Sequence, residues 1–189
     1  MICFKFLFEK GNNIMNSKLL YKLLLIFLIV SISINPLAQS EEPGVTVFVL
    51  DTRVNYDFIN STIMSFDQEI THGSIVTRII KQEAPEAIIK PISVEGSYND
   101  INRYRYLDGL KQVIKYKKQH PEQTVLVNIS LAFSRSTATH YKLIKKLYDQ
   151  KVTIIAAAGN DNSSRKIYPA GYAKEVIAVA NASRKGKAP

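Results

Sequence analysis

Five short apolar, β-branched runs separated by helical patterns limit most strongly what this chain can fold into. The runs are Val45–Leu50 (VTVFVL), Ala87–Val94 (AIIKPISV), Val125–Ser130 (VLVNIS), Val152–Ala158 (VTIIAAA) and Val176–Ala180 (VIAVA). Between them, Ser74–Glu83, Ile101–Gln119 and Thr137–Gln150 carry amphipathic helical spacing, the second stopped by Pro121. Alternation of this kind reads as a parallel sheet with helical crossovers. Because the runs are almost continuously apolar, the sheet is expected to be covered on both faces. The predicted fold class is α/β: a three-layer, mostly parallel β-sheet flanked by helices. At 189 residues and 46% hydrophobic content the chain can bury one sizeable core, and a single domain is expected after an N-terminal extension.

Within that extension, residues 1–40, Lys18–Ser40 reads as a secretory signal. Lys18 and Lys22 form a basic flank, Leu23–Ile34 an apolar stretch, and Ala38-Gln39-Ser40 a cleavage site with small residues at the −3 and −1 positions. The apolar stretch is short of the ~20 residues needed to span a bilayer, so the membrane is expected to matter only during export, with a secreted or periplasmic destination. The lone Cys3 lies in this segment and leaves no disulfide framework and no cysteine metal site for the rest. No metal or cofactor is predicted.

The formal charge is +9, from 25 Lys+Arg against 16 Asp+Glu, which raises nucleic acid as a partner. The basic residues do not cluster as such a partner requires. Lys111, Lys115, Lys117 and Lys118, then Lys142, Lys145 and Lys146, are spaced as the wet faces of two helices, with no aromatic-interleaved basic motif. Nucleic acid is therefore not expected. A dinucleotide cofactor is not expected either, because no G-x-G-x-x-G follows a strand. His120 and His140 are read as surface residues, and Tyr104, Tyr106, Tyr116, Tyr141 and Tyr148 as helix-packing residues.

In open parallel sheets, functional side chains gather beyond the C-terminal ends of the strands. Asp51 closes the first run, Asn128 lies near the end of the third, Asn160 follows the fourth, and His72 opens the helix THGSIV. Taken alone these residue types also serve as caps and turn formers. Their surroundings say more. VFVLDTRV resembles the strand-and-Asp segment V-D-[ST]-G-[VI] of the subtilase (peptidase S8) serine proteases, and THGSIVTRII resembles their H-G-T-x-V-A helix start. VLVNISLAFS is similar to the substrate strand N-x-S-[LF]-G, VTIIAAAGND to the segment ending in the oxyanion asparagine, and IYPAGYAKEVIAVANA to the stretch that follows it.

The resemblance implies a partial subtilase domain over residues 41–189 that hydrolyses peptide bonds. Asp51 would orient His72, His72 would act as general base, and Asn160 would donate to the oxyanion. Ser130, Leu131, Ala132 and Gly159 would pair with an extended peptide or protein substrate. Three departures carry expectations. Arg53 replaces the usual glycine and is expected to bring a cation close to Asp51. Ala132-Phe133 replaces a small pair and narrows the adjoining pocket. The serine motif G-T-S-[MA]-[AS]-x-P is missing from the sequence, so the expectation is a chain cut before its nucleophile and inactive as it stands. The alternative is a non-catalytic subtilase-like module that binds peptides.

Overall fold

A computed structural model describes residues 44–60, 70–97, 100–160 and 165–180. The predicted signal segment and the C-terminal residues 181–189 lie outside the described residues. The strands are β1 (Thr46–Asp51), β2 (Ile88–Ser93), β3 (Val125–Ile129), β4 (Thr153–Ala157) and β5 (Ile177–Val179). The described helices are α1 (Tyr56–Asn60), α2 (His72–Glu83), α3 (Arg103–Gln119) and α4 (Ala138–Asp149). Every strand pairs parallel, in the spatial order β2-β1-β3-β4-β5. The fold is a three-layer α/β arrangement, as the alternation predicts. No helix among the described residues is long and apolar enough to cross a membrane.

Helix boundaries follow from local chemistry. Thr71, extended at φ −90° and ψ 159°, accepts a hydrogen bond from the Ser74 N–H and starts α2. Asn102 accepts from the N–H groups of Tyr104 and Arg105 at α3, and Thr137 from that of His140 at α4. Each cap satisfies amides that the first helical turn leaves without an intrahelical acceptor.

The strand order fixes the layers. The chain leaves β1 toward one side of the sheet for β2, then crosses back past β1 to reach β3. Right-handed crossovers therefore place α2 on one face and α3 with α4 on the other. Side chains of β1 alternate accordingly. Phe48 and Leu50 join Tyr106, Leu110 and Val113 of α3, and Ile144 and Leu147 of α4, in the main core. Val47, Val49 and Asp51 point to the α2 face.

Three expectations need correcting. Coverage of both faces holds at β1, which is buried along its whole length, but not at β5, where Ile177 is 56% and Val179 53% exposed. Among the described residues, α2 packs over β1 and β2 only, so the same face of β4 and β5 has no helical layer. His140, expected at the surface, is fully buried. It lies on the stripe His140, Ile144, Leu147, the i, i+4, i+7 face that α4 turns to the core. Of the tyrosines expected to pack the helices, Tyr106 is fully buried, whereas Tyr104 points to solvent at 85% exposure.

Candidate functional site

The C-terminal ends of β1, β3 and β4 lie side by side, and the last fully paired row across them is Leu50, Ile129, Ala156. One residue further along are Asp51, Ser130 and Ala157, followed by the loop Ala158-Gly159-Asn160. The row sits where the strand order reverses, since the chain leaves β1 to one side and β3 to the other. Such switch points open a crevice between outgoing loops.

Asp51 is 3% exposed, and its carboxylate is held from two directions. The Thr52 N–H donates to Oδ1 at 2.7 Å. His72 Nδ1 lies 2.8 Å from Oδ1 and 3.0 Å from Oδ2. An ionised carboxylate only accepts, so this contact places the proton of a neutral imidazole on Nδ1 and leaves Nε2 as the basic nitrogen. Among the described residues Nε2 makes no hydrogen bond, and the His72 side chain is 57% exposed.

The approach of α2 to β1 depends on small residues. Gly73 N–H donates to Thr52 Oγ1 at 2.8 Å, and a Cβ at position 73 would collide with the Thr52 carbonyl oxygen and lie 3.1 Å from that of Arg53. Ser74, fully buried, accepts from the Asn55 N–H at 2.7 Å and shares a hydrogen bond with Thr71 Oγ1 at 2.7 Å. Thr71 in turn donates to the Arg53 carbonyl. The segment 52–55 is thereby tied to the first turn of α2, which holds His72 over the end of β1.

Arg53 is held against Glu95 at the end of β1. Its backbone is outside the left-handed region, the only non-glycine residue found there among those described being Lys151. Its N–H donates to Glu95 Oε2 at 3.1 Å, and its Nε lies 3.8 Å from the same oxygen. Glu95 is 9% exposed, and its carbonyl accepts from Arg105 Nη1 at 2.6 Å. The sequence gives no local sign of this acidic partner, because Glu95 belongs to the neighbouring strand end. It pairs with the Arg53 cation.

On the other side of the row, Asn128 Nδ2 donates to Ser130 Oγ at 2.8 Å. Leu131 is buried in the main core, and Ala132 is exposed. The backbone groups of Leu131 and Ala132 make no hydrogen bond among the described residues, which leaves a short extended segment open to pairing. The next residue, Phe133, exchanges two backbone hydrogen bonds of 2.8 Å with Tyr168. Gly159 takes φ +88°, a conformation that costs side-chain-bearing residues energy, and turns the chain so that Asn160 projects exposed beyond β4. The structure thus joins Asp51 and His72 directly and sets Ser130, Leu131, Ala132, Gly159 and Asn160 on the two adjacent strand ends. Among the described residues no group of three or more His, Cys, Asp or Glu side chains gathers in a way that could hold a metal ion.

No protein-family model matches the chain. The chain is distantly similar to the minor extracellular protease Epr of Bacillus subtilis (strain 168), 26% identical over 133 residues that cover 65% of this chain and 20% of that protein. It spans about one fifth of the length of this curated relative.

Proposed function

We propose that the chain carries the Asp–His part of a subtilisin-like serine peptidase site together with its peptide-pairing strand, on an exported protein. The observation that carries this reading is the buried Asp51 carboxylate holding His72 Nδ1 at 2.8 and 3.0 Å while Nε2 makes no hydrogen bond among the described residues. In this reading His72 Nε2 takes the proton of a serine hydroxyl as that oxygen attacks a peptide carbonyl, then returns it to the leaving amine. Asp51 keeps the ring in the productive tautomer and stabilises the imidazolium. The Asn160 side-chain amide donates to the oxyanion, a contribution on the order of 3 kcal/mol where such donors have been removed. Ser130, Leu131, Ala132 and Gly159 take the substrate backbone as an added strand. The distant similarity to an extracellular protease and the signal-like segment support export.

None of the described serines is hydrogen-bonded to His72, and the sequence holds no G-T-S motif. The chain by itself is therefore assigned peptide binding without hydrolysis. The backbone of Leu131 and Ala132, which makes no hydrogen bond among the described residues, also fits a second reading, a peptide-binding module in which Asp51 and His72 serve no chemistry.

The test uses the full chain, a fluorophosphonate probe, a fluorogenic peptide and a pool of random decapeptides. The expected result is no labelling and no hydrolysis, with decapeptides slowing hydrogen exchange across residues 130–132 and 158–160. Labelling that disappears in His72→Ala would overturn the assignment of an inactive chain. Peptide protection that is absent, or located elsewhere, would overturn both readings.

A further inference from the structure

A buried imidazole lies behind the open strand segment and takes no part in the Asp51–His72 pair. His140, in the first turn of α4, has no solvent exposure. Its Nε2 lies 2.7 Å from the hydroxyl of Tyr106 on α3, itself fully buried. Its Nδ1 is buried without a hydrogen-bond partner among the described residues. The ring is boxed edge-to-face by Tyr106, Phe133 and Tyr172, with centroids 5.1, 5.9 and 5.3 Å away.

The box joins four pieces of chain. Tyr106 brings α3, His140 brings α4, Phe133 brings the segment that continues Ser130–Ala132, and Tyr172 brings the loop whose Tyr168 pairs with Phe133. The groups facing the ring are poorly suited to a second proton. From α3 come Tyr106 and Arg103, the latter lying 4.9 Å over the Phe133 ring and donating to the Arg135 carbonyl. From the loop come Tyr168 and Tyr172, and the Tyr172 hydroxyl is bonded to Ser136. Tyr141 on α4 faces Tyr172 but is engaged by Glu175, and no carboxylate contacts the imidazole among the described residues. Burial, with Arg103 adding to it, lowers the His140 pKa to about 4. An imidazolium here would need an acceptor at Nδ1 that the box does not offer.

We infer that the His140 box is an acid-sensitive latch: when His140 is protonated, the contact between Phe133 and the Tyr168–Tyr172 loop opens, and the adjoining segment Ser130–Ala132 loses its support while the sheet stays formed. This inference does not rest on the peptidase reading, because it concerns the order of the segment and not its use.

The test follows amide hydrogen exchange of the full chain between pH 7 and pH 3.5, corrected for intrinsic rates, alongside the NMR titration of His140 Cε1. Exchange at Phe133 and Tyr168 is expected to rise at least tenfold with the midpoint at which His140 titrates, well below 6.5, while the β1 and β3 amides remain protected. In His140→Phe the rise should vanish. Three results would each overturn the latch: His140 titrating near 6.5, His140 titrating with no change at Phe133 and Tyr168, or β1 and β3 opening at the same midpoint. The titration and exchange of the unaltered chain decide the matter even where His140→Phe does not fold.

Discussion

Replacing Gly73 by alanine is expected to separate α2 from the end of β1 and destabilise the protein by roughly 2–4 kcal/mol. The added Cβ would stand far closer to the Thr52 carbonyl oxygen than the 3.0 Å below which real Cβ contacts essentially never fall, and 3.1 Å from the Arg53 carbonyl oxygen. Both obstacles are backbone atoms, so no rotamer change relieves them. Overpacking of this kind costs about 1–3 kcal/mol. A helix that backs away also stretches the hydrogen bonds from Gly73 N to Thr52 Oγ1 at 2.8 Å and from His72 Nδ1 to Asp51 at 2.8 Å. Each such bond is worth about 1 kcal/mol net. Against this stands the helix preference of alanine over glycine, about 1 kcal/mol.

Gly109→Ala is the matched control. In the middle of α3 its Cβ would meet Ile92 Cγ2 at 3.2 Å and Leu50 Cδ2 at 3.3 Å, side-chain methyls rather than backbone, which need give only a few tenths of an ångström. Crowding and helix preference should then cancel to within about 1 kcal/mol. Urea denaturation followed by far-UV circular dichroism measures both variants. A Gly73→Ala protein as stable as the unaltered chain, or no less stable than Gly109→Ala, would refute the argument that a backbone contact sets the position of His72.

Removing the α2 cap in Thr71→Ala should cost about 1–2 kcal/mol in the same assay, because its hydroxyl serves the Ser74 N–H, Ser74 Oγ and the Arg53 carbonyl. Gly159→Ala should cost about 1 kcal/mol or more, since φ +88° must be held by a residue with a Cβ that also meets Ile167. Stability should be fully present above pH ~6.5 and fall as the pH drops toward 4. The unfolded chain binds a proton at His140 in that window and the folded one does not, a difference on the order of 3 kcal/mol that His140→Phe should remove from the thermal profile. Lys145→Ala should change the melting temperature little: its pair with Asp149 at 2.7 Å is solvent-exposed, where screening and side-chain entropy offset the attraction.

The sequence by itself determined the five strands and the three longer helices to within two residues at their ends, but not the short α1. Apolar period and capping chemistry are set by neighbours a few residues apart, so VTVFVL followed by Asp51, or Thr71 ahead of HGSIV, can be read directly. The burial of His140 is legible too, because it falls on one stripe with Ile144 and Leu147. The tertiary structure alone decided the rest. The order β2-β1-β3-β4-β5 makes β1 an inner strand, and so brings Asp51 beside Ser130, about eighty residues away along the chain. It also decided that Glu95 would take the Arg53 cation, that His140 would meet Tyr106, and that β5 would stay exposed. These outcomes depend on which distant surfaces meet, and that follows from the handedness of crossovers and the filling of a shared core.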